Sequence, residues 1–131
     1  MGACYYVKLK VKLKDEESAI KMLNEHIAND KRAVYHLDKF AEAGITTDNF
    51  DDLMRIFLAD FKKNDEFIHR QKNGFVIYQN WFDATYSWEM VLADMFKTLT
   101  PFIEDGSTVW IYPDNDYDKF VIKDGKCVQL H

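Results

Sequence analysis

Cysteine, proline and glycine are all scarce in this sequence, with two, two and five among 131 residues. The two cysteines, Cys4 and Cys127, make no disulfide framework, and neither stands in a C-x-x-C pair of the kind that holds zinc or cycles a disulfide. So little Pro and Gly leaves little room for long irregular loops. No apolar run approaches the roughly 18 residues of a bilayer-spanning helix, and no signal-peptide pattern opens the chain. The expectation is a soluble, cytoplasmic protein without a membrane partner. Nucleophile motifs of the G-x-S-x-G and S-x-x-K types are missing, and so are glycine loops that cradle phosphate. Basic charge is short as well. Lys plus Arg total 17 against 22 Asp plus Glu, a net of −5. That argues against affinity of the whole molecule for nucleic acid or an acidic membrane. The small basic excess that exists falls in the first 37 residues.

What the chain has in quantity is aromatic rings. Ten Phe, seven Tyr and three Trp make 15% of the residues, in a chain that is 47% hydrophobic and 30% charged. This composition excludes disorder. The length fits a single domain, 1–131, able to bury roughly two-thirds of its unfolded surface.

Residues 4–14 alternate: Tyr5, Val7, Leu9, Val11 and Leu13 point one way, Tyr6, Lys8, Lys10, Lys12 and Lys14 the other, which predicts a strand with one buried face. Asp15 then caps a helix carrying Ile20, Leu23 and Ile27 inward, with Glu16 and Glu17 at its positive end. A shorter helix is expected over 33–43, with Val34, Leu37 and Phe40 inward and Gly44 just past its end. Thr47 or Asp48 starts the clearest helix, striped by Phe50, Leu53, Met54, Phe57, Leu58 and Phe61. Residues 66–71 and 75–82 read as a hairpin turned by Lys72-Asn73-Gly74. Ser87 caps a further helix lined by Val91, Leu92, Met95, Phe96 and Leu99, which Pro101 closes. Residues 108–112, 119–123 and 126–130 complete the strands, with a loop over 113–118.

The order is therefore β-ααα-ββ-α-βββ. That pattern predicts an α+β, ferredoxin-like split β-α-β antiparallel sheet with helices on one face. The first crossover is enlarged to three helices, and a C-terminal hairpin is added.

Sites are harder to find. Asp114, Asp116 and Asp118 resemble the first half of a calcium loop. Lys119 and Gly125 stand where such a loop needs Gly and a bidentate Glu, so the run reads as a polar loop. His26, His36, His69 and His131 form no H-x-x-x-H pair. His26 reads as a boundary residue, and His69 is the one to test for catalysis. No metal, cofactor or catalytic group is expected.

The first strand turns Tyr6, Lys8, Lys10 and Lys12 outward, and the third is rich in rings. Together they offer a stacking platform for single-stranded nucleic acid. The segment Gly74, Phe75, Val76, Ile77, Tyr78 resembles the second half of the RNP1 motif of RNA-recognition domains; Gln71, Lys72 and Asn73 stand where that motif has a basic residue, Gly and a ring. A second resemblance covers residues 78–128. The run Trp81-Phe82-Asp83-Ala84-Thr85-Tyr86-Ser87-Trp88, an amphipathic helix and a terminal Asp124-Gly125-Lys126 are similar to the ferredoxin-like domains of plasmids and phages. Trp88-Glu89 replace the Pro pair found there. The resemblance implies a small accessory protein that binds and inhibits another protein, with no catalytic residues to carry over.

The leading expectation is a non-catalytic interaction module that binds a protein partner or a second copy of itself as a homodimer, through Tyr6, Lys8, Lys10, Lys12, Tyr78, Trp81 and Trp110. Single-stranded nucleic acid on the Lys/Tyr face of the first strand is the alternative, and a small enzyme using His69 the remote one. Asp48, Asp51, Asp52 and Asp60 could instead offer an acidic surface to a basic partner.

Overall fold

The computed structural model describes residues 2–29, 37–85, 87–112 and 118–130. Strand β1 (Gly2–Val11) follows its alternation: Tyr5, Val7, Leu9 and Val11 are buried, while Tyr6, Lys8 and Lys10 lie on the opposite side. It stops three residues sooner than the pattern predicts. Leu13 keeps only an isolated bridge to Ile103. Helix α1 (Glu16–Asn29) begins at Asp15, whose carboxylate accepts the Ser18 amide at 3.0 Å and its hydroxyl at 2.7 Å. Those two bonds hold the Asp15 carboxyl below its ordinary range. Ala19, Leu23 and Ile27 are its buried positions, with Ile20 half-buried beside them.

Helix α2 (Leu37–Glu42) buries Phe40; the expected start at 33, with Val34, lies outside the described residues. Its end is set by Gly44 at φ +78°. The Gly44 amide reaches Ala41 O at 3.0 Å and the Ile45 amide reaches Phe40 O at 2.9 Å, a Schellman closure that needs a left-handed residue. Helix α3 (Phe50–Phe57) is capped by Asn49, one residue beyond the expected Thr47 or Asp48; its side-chain oxygen accepts the Asp52 amide at 2.8 Å. Phe50, Leu53, Met54 and Phe57 line its buried side as the stripe predicts. Phe61 does not belong to it. The chain leaves the helix at Leu58, Ala59 adopts φ +54°, and Phe61 stacks on Phe40 with centroids 4.2 Å apart.

A short 3₁₀ turn (Asp65–Phe67) leads into β2 (Ile68–Arg70). The Gln71 amide bonds Phe75 O at 2.9 Å across the expected turn, and β3 (Val76–Thr85) follows. Helix α4 (Trp88–Leu99) buries all five predicted positions. Ser87 stands at its N-cap but does not cap it through its side chain: it sits at φ +74° with no side-chain bond to the first turn. β4 (Thr108–Tyr112), β5 (Asp118–Lys123) and β6 (Lys126–Leu130) finish the chain.

The six strands form one open sheet in the order β2-β3-β1-β4-β5-β6, every neighbouring pair antiparallel. The fold is α+β. Buried residues of α1, α3 and α4 share one core with Tyr5, Val7, Leu9, Val11, Tyr78, Val109, Ile111 and Phe120. Phe40, Ile45 and Ile56 form a smaller cluster under α2. The sheet residues of opposite parity are left on the other face.

Candidate functional site

Residues paired across an antiparallel ladder share a face, so the register maps that other side row by row. One row reads Trp81, Tyr6, Tyr112 and the next Gln79, Lys8, Trp110, Lys119, Leu130. The third runs His69, Ile77, Lys10, Thr108, Val121, Val128. Rings touch from strand to strand and along β4. Trp81 and Tyr6 have centroids 4.8 Å apart, Tyr6 and Tyr112 5.9 Å, and Tyr112 and Trp110 5.9 Å. Ammonium groups lie on ring faces: Lys119 Nζ is 4.3 Å from the Trp110 centroid and Lys10 Nζ 5.1 Å from that of Phe75. Trp81 is 69% exposed, the largest exposure of any large apolar side chain described.

Of the residues expected to bind, Tyr6, Lys8, Lys10, Trp81 and Trp110 are thus brought together. Lys12 lies at the margin, its Nζ 3.9 Å from the Glu104 carboxylate and 5.9 Å from the Phe75 centroid. Tyr78 is a correction. It pairs with Leu9, so it shares the core side, and only 2% of it reaches solvent. Its hydroxyl donates to Asp51 Oδ1 at 2.6 Å, and burial first, then that carboxylate, push its ionisation far above the ordinary tyrosine range. Tyr112, Gln79 and Lys119 were not singled out from sequence. The alternation of Trp110 and Tyr112 with buried Val109 and Ile111 was the signal that would have found Tyr112.

The other candidates disperse. His69 is exposed on the same face, its Nε2 3.2 Å from Gln79 Nε2. Tyr6 donates to the oxygen of that same Gln79 amide at 3.4 Å. His26 is the boundary residue it was read as, half-buried with its ring 6.1 Å from Phe57. His36, His131, Asp114 and Asp116 lie outside the described residues. The expected acidic surface is not formed, because Asp52 and Asp60 are buried. Asp52 accepts the Thr46 amide at 3.0 Å and Asn49 Nδ2 at 3.1 Å, and Asp60 pairs with Arg55 Nη1. Asp51 is shared between Tyr78 and Arg70, leaving Asp48 alone of the four exposed without such a role.

Recesses open at the surface, two of them lined by described residues. A cleft of about 430 Å³ is lined by Lys12, Lys14, Glu16, Asp51, Arg70 and Tyr78, most of whose charges already face opposite ones. The other, about 700 Å³, lies beside Trp81 and Tyr6 and carries Asp65 and Glu66. Among the described residues no group of three His, Cys, Asp or Glu side chains is arranged to hold a metal ion, and no helix is long and apolar enough to cross a membrane. Set against known proteins, the chain matches no family model, no curated protein and no solved structure.

Proposed function

We propose that this chain is a non-catalytic interaction module, built on a ferredoxin-like split β-α-β frame, that engages a macromolecular partner through its open sheet face. The order β2-β3-β1-β4 with antiparallel neighbours supports that frame. On this reading α1 to α3 form the enlarged first crossover and β5–β6 the added hairpin. A small accessory protein of the kind its strand-to-helix junction resembles is the setting it fits.

Trp81 carries the proposal. A tryptophan buries some 150–250 Å² when covered, so leaving 69% of one in water forgoes about 3 kcal/mol of hydrophobic stabilisation. It stands at the end of a run of contacting rings on an uncovered face, where a partner would recover that free energy. The buried carboxylates of Asp52 and Asp60, by contrast, are engaged in holding the fold together.

The test is photo-crosslinking in cells with p-benzoylphenylalanine at position 81, against the same group at Lys21, an exposed position on α1. Discrete adducts at 81 and none at 21, whether to protein, nucleic acid or a second copy, are expected. Equal or absent labelling at the two positions would overturn the reading.

A further inference from the structure

We infer that the occupant of the open face is single-stranded nucleic acid; this rests on the reading of that face just given. The first ground is the sign of the charge. In a chain of net −5, strands β1, β5 and β6 turn Lys8, Lys10, Lys119, Lys123 and Lys126 to this side. The one carboxylate beside Lys12, that of Glu104, is paired with it, and Asp83 lies at the far end opposite Cys4. Such a face attracts a polyanion.

The kind of cation separates nucleic acid from protein. Interfaces between proteins are enriched in Arg and depleted in Lys. Here the cations are lysines, while the described arginines are committed elsewhere, Arg55 to Asp60 and Arg70 to Asp51. A second copy fits worse still: a two-fold axis through the face would set the Lys8 and Lys10 row against its own image. Rings complete the chemistry. Trp110 and Phe75 each lie under an ammonium group at 4.3 and 5.1 Å, so a base that stacks on either ring displaces that ammonium to its edge, where the freed cation meets the phosphate. Only unpaired bases present their flat sides to a sheet, which selects single strands over duplex. The recess with Asp65 and Glu66 lies against Tyr6 and Trp81, so phosphates follow the lysines of β1, β5 and β6 while Trp81 offers its ring to a base.

The experiment is fluorescence anisotropy of the full chain with labelled 12-nucleotide DNA and RNA of mixed sequence, each single-stranded and as duplex, between 50 and 200 mM salt. Single strands should bind more tightly than duplex. Contact with three or four phosphates gives a log–log salt slope of about −2 to −3. Trp110→Ala should weaken binding about ten-fold, since one stacked base contributes roughly 1–3 kcal/mol. Lys8→Glu with Lys10→Glu should weaken it at least as much, while Lys21→Glu with Lys39→Glu on the helical layer leaves it unchanged. Circular dichroism and the melting midpoint confirm that each variant folds. No single-strand binding at 50 mM salt would overturn the inference, as would binding that the face variants do not alter. If position 81 then crosslinks to protein, the face survives and its partner is a protein. If neither adducts nor binding are seen, both readings go.

Discussion

Asp60 reads in the sequence as one more acid on a helix surface, yet it organises the loop after α3. Its side chain is fully buried, paired with Arg55, and accepts the Asn64 amide at 3.1 Å and Asn64 Nδ2 at 3.0 Å. Ala59 at φ +54° and Lys63 at φ +52° bend the chain around it. Removing one partner of a buried pair strands the other, so Asp60→Ala should cost about 3–5 kcal/mol in urea unfolding, far more than a surface Asp. Two tyrosines give a pH signature. Burial and the bond to Glu89 push Tyr5 up to about 12, and Tyr78 is raised further. Both stay neutral in the folded state where the unfolded chain would ionise. Their contribution is therefore complete below pH 10 and is lost as pH rises from 10 towards 12. Absorbance titration should show Tyr5 and Tyr78 ionising late, with the urea midpoint falling over that window. Why Tyr78 was misplaced is a matter of phase. Residues 75–78 are apolar at every position, and a period of two has no phase when both faces are apolar. β1 had one, and only the pairing of Leu9 with Tyr78 transfers it.

At the scale of elements, local chemistry was legible and tertiary termination was not. The turns at Gly74 and Asp124-Gly125, the end of α2 at Gly44 and the inward stripe of α4 all follow from residues near in sequence. Helix α3 ends four residues short of its stripe because the Asp60 loop, assembled through Arg55 and Asn64, stops it. Phe61 fell on the helical period and packs on Phe40 instead. Ser87 is a similar case: the right position, the wrong mechanism. A left-handed conformation costs a non-glycine residue about 1–2 kcal/mol, and this serine returns no capping bond. Ser87→Gly should relieve that strain, offset in part by extra freedom in the unfolded chain. The expected net is a stabilisation of roughly 0.5 kcal/mol, visible as a small rise in the melting midpoint.

Among the described residues the open sheet face carries Lys8, Lys10, Lys119, Lys123 and Lys126, in a chain whose net charge is −5. Like charges facing each other across a two-fold axis oppose self-packing, so light scattering on a sizing column should return about 15.5 kDa at low salt. A mass near twice that would mean the ring face is covered by a second copy. Burial patterns in the sequence marked that face as uncovered, but they carry no information about what covers it; charge and ring geometry do, and these needed the register. The same register bears on how the chain comes to be folded at all. β1 precedes the other described strands and lies inside the sheet, yet Leu9 finds its neighbours in Tyr78 and Val109, about 70 and 100 residues later. A growing chain therefore holds a partnerless strand, apolar on one face of its alternation, until those residues have been added. Loop closure of that span makes the central pairing slow. The lysines at every second position have a use before folding as well as after it: they keep the waiting strand from pairing with another like itself.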